Sequence, residues 1–492
     1  MEQAGIAGSA LMGRAGVAAL RALRRRWSAA RELVILCGGG NNGGDGYVLA
    51  QRAAAAGLTV RIISCVPPAA LRGDAAAAAA ACEALELPIE SLELDRLPQI
   101  LAASDVVIDA LLGIGLQQTV RTPLAAVIEQ INACGRPVLS IDVPSGLCAD
   151  TGRVQGIAVH ANLTVTFIGH KIGLFMNAGP DHVGELELER LGLDGVADAV
   201  AHVLDATSLT RLLSPRLRTS HKGNGGHVVI VGGGLGMPGA ARLAGEAALR
   251  VGAGRVSILC HPDSATAIAS GRAELMVRGV APDTDWAPLL QAADVRLVGP
   301  GLGRDSWAVE ALRASVDFTA ATVLDADALH LLSSVAAVPP DATLPWVLTP
   351  HPGEAAGLLS SVTAVVTARE IQADRLAALH ALEQRIRAVV VLKGAGTLIG
   401  AAGRVPALCA AGNAALATAG TGDVLAGAIA GLWAQVAADA QLATPEVAWN
   451  SACAGVWLHA SSADRWQQGM GGRVTRGLLA GELAASLAQD LP

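Results

Sequence analysis

Aromatic side chains are scarce in this 492-residue chain, which has eight Trp, three Phe and a single Tyr. Its core must be filled by aliphatic side chains and by close packing of Ala and Gly. Charge is scarce too, at 16% against 52% hydrophobic residues, which excludes a disordered chain. There is no basic excess: 36 Lys and Arg against 43 Asp and Glu leave a net charge of −7, so nucleic acid is not an expected partner. The eight cysteines, at 37, 65, 82, 134, 148, 260, 409 and 453, form no CxxC pair and keep no metal-binding spacing to histidine. That removes zinc sites and disulfide frameworks, and leaves reduced, mostly buried thiols in a cytoplasmic protein. A membrane span needs about 20 consecutive apolar residues, and the apolar run from Val424 to Ala434 is too short. Near the N-terminus Arg21, Arg24, Arg25 and Arg26 follow the apolar part, the reverse of a secretory leader, with an arginine-rich transit peptide as the minor alternative. Small molecules are the partners left.

Short apolar runs alternate throughout with alanine-rich helical stretches, the pattern of parallel sheets covered by helices on both faces. In the first half the expected strands are Leu33 to Cys37, Thr59 to Ser64, Val106 to Leu111, Val138 to Asp142 and Leu163 to Phe167. The rhythm restarts with His227 to Val231, Val256 to Cys260, Arg296 to Val298, Thr322 to Asp325, Trp346 to Thr349 and Val389 to Leu392. Between the halves, Leu191 to Ser220 contains no strong strand, and the chain length favours two domains, divided near residue 207.

The most informative segment is Gly412 to Leu432, GNAALATAGTGDVLAGAIAGL, which sets Asp423 in a glycine turn opening an apolar helix. Glycines at 420 and 422 let backbone N–H groups converge, and the positive helix end adds to their field. Such a turn holds an anion. A carboxylate inside it serves best by taking the proton of a hydroxyl that attacks a phosphoryl group. The alternative at this point is a plain loop with an aspartate in the first helical turn. Upstream, VVVLKGAGTLIG (Val389 to Gly400) delivers Lys393 to a second glycine turn, and LTPHPGE (Leu348 to Glu354) forms a third strand-end turn.

HKGNGG (His221 to Gly226), IVGGG, GPGLG (Gly299 to Gly303), LDADAL, LTPHPGE, LKGAGT and NAALATAGTGD follow one another in an order that resembles the ADP-dependent NAD(P)H-hydrate dehydratases. These form a branch of the ribokinase-like superfamily. The resemblance implies salvage of nicotinamide cofactor hydrated at C6, driven by ADP, with Mg2+ accompanying the nucleotide. It implies Lys393, Gly394, Ala395, Gly396, Thr397 and Gly422 as nucleotide contacts, and Ala240, Gly301, His351 and Asp423 as hydrate contacts. Asp423 is the implied base. His351 also has a plain reading, as a capping or packing group beside Pro352. Two positions depart from the family's usual form: Ala414 stands for proline and Ala419 for glycine, which implies at most a change in loop stiffness.

In the first half CGGGNNGGDG (Cys37 to Gly46) follows an apolar strand and precedes a helix, the geometry of a phosphate or dinucleotide cradle, although it is not GxGxxG. With DALLGIG (Asp109 to Gly115) and IDVPSG (Ile141 to Gly146) it resembles the NAD(P)H-hydrate epimerases. The resemblance implies that Asn42, Asp109 and Ser145 bind a potassium ion, which suits hard oxygen donors. It also implies a hydrate pocket made by Asn41, Asn42, Gly43, Gly44 and Asp45, by the loop Gly113, Ile114, Gly115, Leu116, Gln117, Gln118 and Thr119, and by Asp142. Asp142 is the acid/base candidate, since inverting C6 requires proton transfer beside it. Taken alone, Asp109 and Asp142 read as strand-end caps. Lys171 either offsets charge in the pocket or is a solvated loop lysine. Gly13 stands where an acidic residue is usual, and the chain starts only ten residues before Leu11, so the opening helix is expected to be shortened.

The expectation is an α/β protein with a Rossmann-like three-layer epimerase domain at 1–206 and a ribokinase-like dehydratase domain at 207–492. Together they epimerise hydrated NAD(P)H and dehydrate its S form, and the alanine-rich surfaces favour a homo-oligomer. Two rivals stay open: a kinase of a small vitamin precursor, which shares the GTGD turn but leaves the first half unexplained, and a binding protein whose pockets no longer turn over.

Overall fold

The computed structural model describes residues 6–193, 198–335, 343–360, 364–438 and 444–492. The chain forms two compact units, Met1–Asp198 and Ala199–Pro492. The first holds a seven-stranded sheet of β1 (Glu32–Cys37), β2 (Thr59–Ser64), β3 (Ile89–Ser91), β4 (Val106–Ala110), β5 (Val138–Ile141), β6 (Leu163–Phe167) and β7 (Glu185–Glu189). Their order is β3-β2-β1-β4-β5-β6-β7, and every pair is parallel. The helices Gly8–Arg26, Asn41–Ala55 and Gly73–Ala84 cover one face, with Ala19, Leu23, Leu49 and Ala53 packed on Ile35, Ile62 and Ile108. The helices Leu97–Ala102 and Leu124–Ala133 cover the other, packing Leu101, Val127 and Ile128 on Val34, Leu36 and Val107. This gives the three-layer arrangement expected from continuous apolar strands buried on both sides.

The second unit carries β8 (His202–Val203), β9 (His227–Val231), β10 (Arg255–Cys260), β11 (Met276–Gly279), β12 (Val295–Val298), β13 (Thr322–Leu324), β14 (Trp346–Leu348), β15 (Val389–Leu392), β16 (Thr397–Gly400) and β17 (Ala407–Cys409). They line up as β11-β10-β9-β12-β13-β14-β15-β16-β17-β8. The sheet is parallel from β11 to β15 and antiparallel across β15-β16-β17, so it is mixed rather than purely parallel. On one face Val228, Ile230, Val389 and Val391 meet the helices Pro238–Arg250, Thr421–Ala437 and Pro445–Gly469. Their neighbours Val229, Val231, Val390 and Leu392 are equally buried on the other face. The helix Thr421–Ala437 is held chiefly by Val424, Leu425, Ile429 and Leu432, all nearly inaccessible. Each such side chain contributes about 1.5–3 kcal/mol.

The division between units falls eight residues earlier than residue 207. The cause is β8, whose His202 and Val203 pair with Ala407 and Leu408 of β17 and so tie this stretch to the second sheet. In each sheet the strand order reverses once along the parallel core, between β1 and β4 and between β9 and β12. The carboxyl ends of those strand pairs are where an open α/β sheet leaves a crevice for ligands.

Candidate active sites

In the first unit the loop after β1 enters the helix Asn41–Ala55, whose first turn is Asn41 to Gly44. Together with the loop after β4 it walls a cleft of 1280 Å³ that also reaches Asp142 and Lys171. Asn41, Asn42, Asp45, Gly113, Ile114, Gly115, Leu116, Gln117 and Gln118 all line it. Gly43, Gly44 and Thr119 do not. A side-chain carbon on Gly43 would stand 2.1 Å from the Gly38 carbonyl and one on Gly44 would stand 2.4 Å from Met12, so both glycines serve packing. Thr119 Cγ2 packs toward Gly156.

Asp109 is the next-to-last residue of β4 and is fully buried. Its Oδ1 accepts from Ser145 Oγ at 2.5 Å and from the Leu111 amide at 3.3 Å, and its Oδ2 accepts from Ser140 Oγ at 2.8 Å and the Ser145 amide at 2.9 Å. All four donors are neutral, and burial raises the Asp109 pKa against their pull. The Leu112 carbonyl accepts from Asn42 Nδ2 at 3.0 Å and the Leu112 amide donates to Ser145 Oγ at 2.8 Å, which gathers the three expected cation ligands around one loop. Among the described residues the buried Asn42 Oδ1 has no hydrogen-bond partner. A buried carboxylate with only neutral partners beside an orphaned amide oxygen fits a monovalent cation held by hard oxygen donors.

Asp142 leaves β5 with φ of +65°. Its Oδ1 accepts from Lys171 Nζ, from Thr166 Oγ1 at 3.2 Å and from the Phe167 amide at 3.1 Å. Lys171 Nζ also donates to Thr166 Oγ1 at 3.0 Å and to the Phe167 carbonyl at 2.9 Å, so it is a partly buried partner of Asp142 rather than a solvated loop lysine. Across the cleft Asp45 is pushed up to about 8 by burial and then by the Asp142 charge, against the opposing pull of Lys171. Two carboxyl groups with unequal surroundings thus face one cleft, the arrangement that separates an acid from a base.

In the second unit Gly420, at φ +90°, is the N-cap of the helix Thr421–Ala437, a conformation that glycine reaches without strain. Asp423 is the third helical residue. Among the described residues no group donates to its carboxylate, and no acceptor takes the amides of Gly420, Gly422 or Asp423. The Thr421 amide is spent on the Thr418 carbonyl, at 3.4 Å. Burial first, then the charges of Asp325 and Asp327, push Asp423 up to about 7 against the pull of Lys393. That is where a general base for neutral pH belongs.

Lys393 leaves β15 and places Nζ 2.9 Å from Asp325 Oδ1 and 3.8 Å from Glu354 Oε2. Burial alone would lower the Lys393 ammonium, but the Asp325 and Glu354 carboxylates overcome it and hold the pKa above its ordinary value. The nearly inaccessible Asp325 also accepts from Thr349 Oγ1 at 2.7 Å. Ala240 and Gly301 adjoin, since a side-chain carbon on Gly301 would stand 2.9 Å from Ala240 Cβ, and the Gly301 carbonyl accepts from the Gly234 amide at 2.7 Å. His351 caps the helix Pro352–Leu359, its Nδ1 accepting from the amides of Gly353 at 2.9 Å and Glu354 at 3.2 Å, while the side chain stays 56% exposed toward solvent. Capping uses one ring nitrogen and leaves Nε2 beside Glu354.

Several residues of these sites were not singled out by sequence reasoning. Asp325 and Glu354 lie inside the quoted motifs LDADAL and LTPHPGE, but only the fold brings them to Lys393. His459, on the helix Pro445–Gly469, is buried, which pushes it down to about 4; its neutral ring donates from Nε2 to the Thr421 carbonyl at 2.9 Å and steadies the anion turn. Asp464 on the same helix accepts from the Gly412 amide at 2.8 Å and from Asn413 Nδ2 at 2.9 Å, holding the other end of the loop. Among the described residues no cluster of three or more His, Cys, Asp or Glu forms a metal cage, and no helix is long and apolar enough to cross a membrane.

Known proteins resemble this chain along its length. The family described as NAD(P)H-hydrate dehydratase matches residues 228–484, and the YjeF-related protein N-terminus matches residues 8–173. The chain is 44% identical over 485 residues to the bifunctional NAD(P)H-hydrate repair enzyme Nnr of Coxiella burnetii, spanning 98% of this chain and 94% of that one. The enzyme of the same name from Escherichia coli strain K12 is 40% identical over 386 residues, spanning 78% of this chain and 71% of its own. A solved ribokinase-like superfamily protein from Enterococcus faecalis aligns with a TM-score of 0.51 at 26% identity, over 61% of this chain and 98% of its own. Fold, motifs and identity along nearly the whole length agree: the chain belongs to the bifunctional NAD(P)H-hydrate repair enzymes.

Proposed function

We propose that the first unit interconverts the R and S forms of hydrated NAD(P)H at C6, and that the second dehydrates the S form at the expense of ADP, giving NAD(P)H, AMP and phosphate. The observation that carries the reading is Asp423, a carboxylate with no hydrogen-bond donor among the described residues, set among amides unclaimed by them and facing Lys393. Asp423 takes the proton of the C6 hydroxyl, whose oxygen attacks the β-phosphorus of ADP as AMP departs. The phosphate ester then loses phosphate from C6 and a proton from C5, restoring the ring double bond. The amides of Gly420 and Gly422 and the Lys393 ammonium stabilise the transferring phosphoryl oxygens, each well-placed donor being worth roughly 3 kcal/mol. Lys393 to Thr397 bind the nucleotide; Ala240, Gly301 and His351 bind the hydrate. Asp325, Glu354 and the nucleotide's own phosphates suit Mg2+, which would neutralise phosphate charge while keeping several waters.

In the first unit, epimerisation proceeds by departure and return of the C6 hydroxyl or by opening of the ring at that carbon. Both routes need one group that removes a proton and one that supplies it. Asp142, fixed by Lys171, is the base, and Asp45, held protonated near neutral pH, is the acid. Asn42, Asp109 and Ser145 would hold K+, which supplies positive charge to the buried Asp109 and fixes the start of the cradle helix. The eight unpaired cysteines favour a reducing, cytoplasmic setting. Small-molecule partners only, in a homo-oligomer, complete the reading.

Purified protein incubated with mixed hydrates tests this, with and without ADP. Loss of both hydrates with equal release of AMP and phosphate is expected with ADP, and equilibration of the epimers alone without it. Unchanged hydrates under both conditions contradict the reading and favour a binding protein. ATP-dependent phosphorylation of a vitamin precursor favours the kinase.

A further inference from the structure

The helix Arg375–Ile386 begins with an arginine that is 1% exposed, one of the largest fully buried side chains of the chain. No carboxylate lies within ion-pair distance of it among the described residues. Its guanidinium instead grips three carbonyls: Nη1 donates to Ala395 O, at 2.5 Å, and to Gly396 O at 3.0 Å, and Nη2 donates to Leu392 O at 3.0 Å. Nε is buried without a partner among the described residues. The group also sits at the positive end of its own helix, where a cation is disfavoured. Burial pulls its pKa down to about 10, so it stays cationic at neutral pH. An uncompensated buried charge in a poor position is costly to stability and points to a role outside it.

All three carbonyls belong to Leu392 to Gly396, at the KGAGT turn. In a trans peptide the N–H points opposite to the C=O, so drawing the Ala395 carbonyl inward turns the Gly396 amide outward. Among the described residues, the amides of Gly394, Ala395 and Gly396 donate to no acceptor, and Gly394 and Ala395 are exposed. Gly394 is favoured by its own backbone conformation and lies against the arginine. At φ +150° a side-chain carbon there would stand 2.9 Å from Arg375 Nη2 and 3.0 Å from Cζ.

We propose that Arg375 is the positioning residue of the nucleotide site, a buried cation that draws the carbonyls of the KGAGT turn inward so that the free Gly396 amide faces the diphosphate. This rests on the reading of that turn as the ADP site. Lysine offers one ammonium in place of a planar fork and cannot hold all three carbonyls in the same geometry. Methionine fills the space without charge.

The test measures the full chain carrying Arg375→Lys or Arg375→Met, by KM for ADP, KM for the hydrate, and the rise in Tm that ADP produces. Expected in both variants is a KM for ADP raised by about tenfold or more, a hydrate KM within about twofold of wild type, and a diminished ADP-dependent rise in Tm. Epimerisation should be untouched. A merely structural arginine would lower Tm without ADP and the active fraction while leaving the ADP KM as in wild type, and that result in either variant overturns the proposal. Should Arg375→Met fail to fold, Arg375→Lys decides alone. Wild-type dehydration that needs no nucleotide would instead remove the ADP reading on which the proposal stands.

Discussion

Lys393 Nζ lies 2.9 Å from Asp325 Oδ1 and is also the atom closest to where a side chain on Gly422 would begin, at 3.6 Å. One ammonium therefore joins three strand-end loops: the β13 loop through Asp325, the KGAGT turn that carries it, and the anion turn of Asp423. Lys393→Met should cut dehydration by about 10² to 10³ while leaving epimerisation at the wild-type rate. Coupled assays on one preparation, scoring both reactions, check this. Equal loss of both reactions would mean that the substitution acts through folding.

Asp423 has the clearest pH signature. Its pKa is raised from 3.8 to about 7, so the folded protein holds a proton that the unfolded chain has lost across that interval. The folded state therefore binds more protons there, and this group's contribution to stability falls as pH rises from about 4 to about 7. Asp423→Asn, which cannot ionise, should raise Tm at pH 8 by at least about 2 °C, with the difference closing near pH 4. In wild type, dehydration should rise with pH through about 7 as the base deprotonates. Calorimetry at both pH values and a rate profile read the two effects separately.

For the first unit the relevant group is Asp45, raised from 3.8 to about 8. As the acid partner it must carry a proton, so epimerisation should fall as pH rises past about 8. Asp45→Asn should abolish that falling limb and slow the reaction by about 10² or more. Exchange between epimers, followed by NMR from pH 6 to 9.5 without ADP, provides the measurement. A limb that persists in the variant would assign the proton elsewhere.

Asp109 carries the stability of the cation loop. Asp109→Ala would strand donors at Ser140, Ser145 and Leu111 and should cost about 3 kcal/mol. In the wild-type chain, replacing sodium by potassium should raise Tm through binding at Asn42, Asp109 and Ser145. Asn42→Ala should erase that difference while leaving the response to ADP intact. Identical melting in the two salts would argue against the cation.

The sequence foretells some of this more readily than the rest. β2, β6, β9 and β15 have the expected ends: β9 and β15 read as nearly unbroken apolar runs because both faces are buried, and β2 and β6 keep enough apolar residues around Arg61, Thr164 and Thr166 to stand out. β7, ELELE, escapes notice because it is an edge strand whose glutamates meet solvent and arginines, such as Arg25 with Glu187. β8 is two residues long, and β16 and β17 are short and lie among glycine turns. Among site residues, Asp423 and Lys393 are visible because glycines mark their turns. Asp325 and Glu354 matter only because separate loops converge on Lys393. Arg375 and His459 sit in helices that read as ordinary, and their burial follows from packing that one-dimensional periodicity does not carry.

The central claim is that Asp423 starts the ADP-driven step and takes no part in the interconversion of epimers. Its most direct test is to give Asp423→Asn the mixed hydrates with ADP and to follow NAD(P)H, AMP and the epimer ratio together. Expected are epimers that equilibrate at the wild-type rate, bound ADP, and no NAD(P)H or AMP formed. Recovery of NAD(P)H with matching AMP in that variant would contradict that claim.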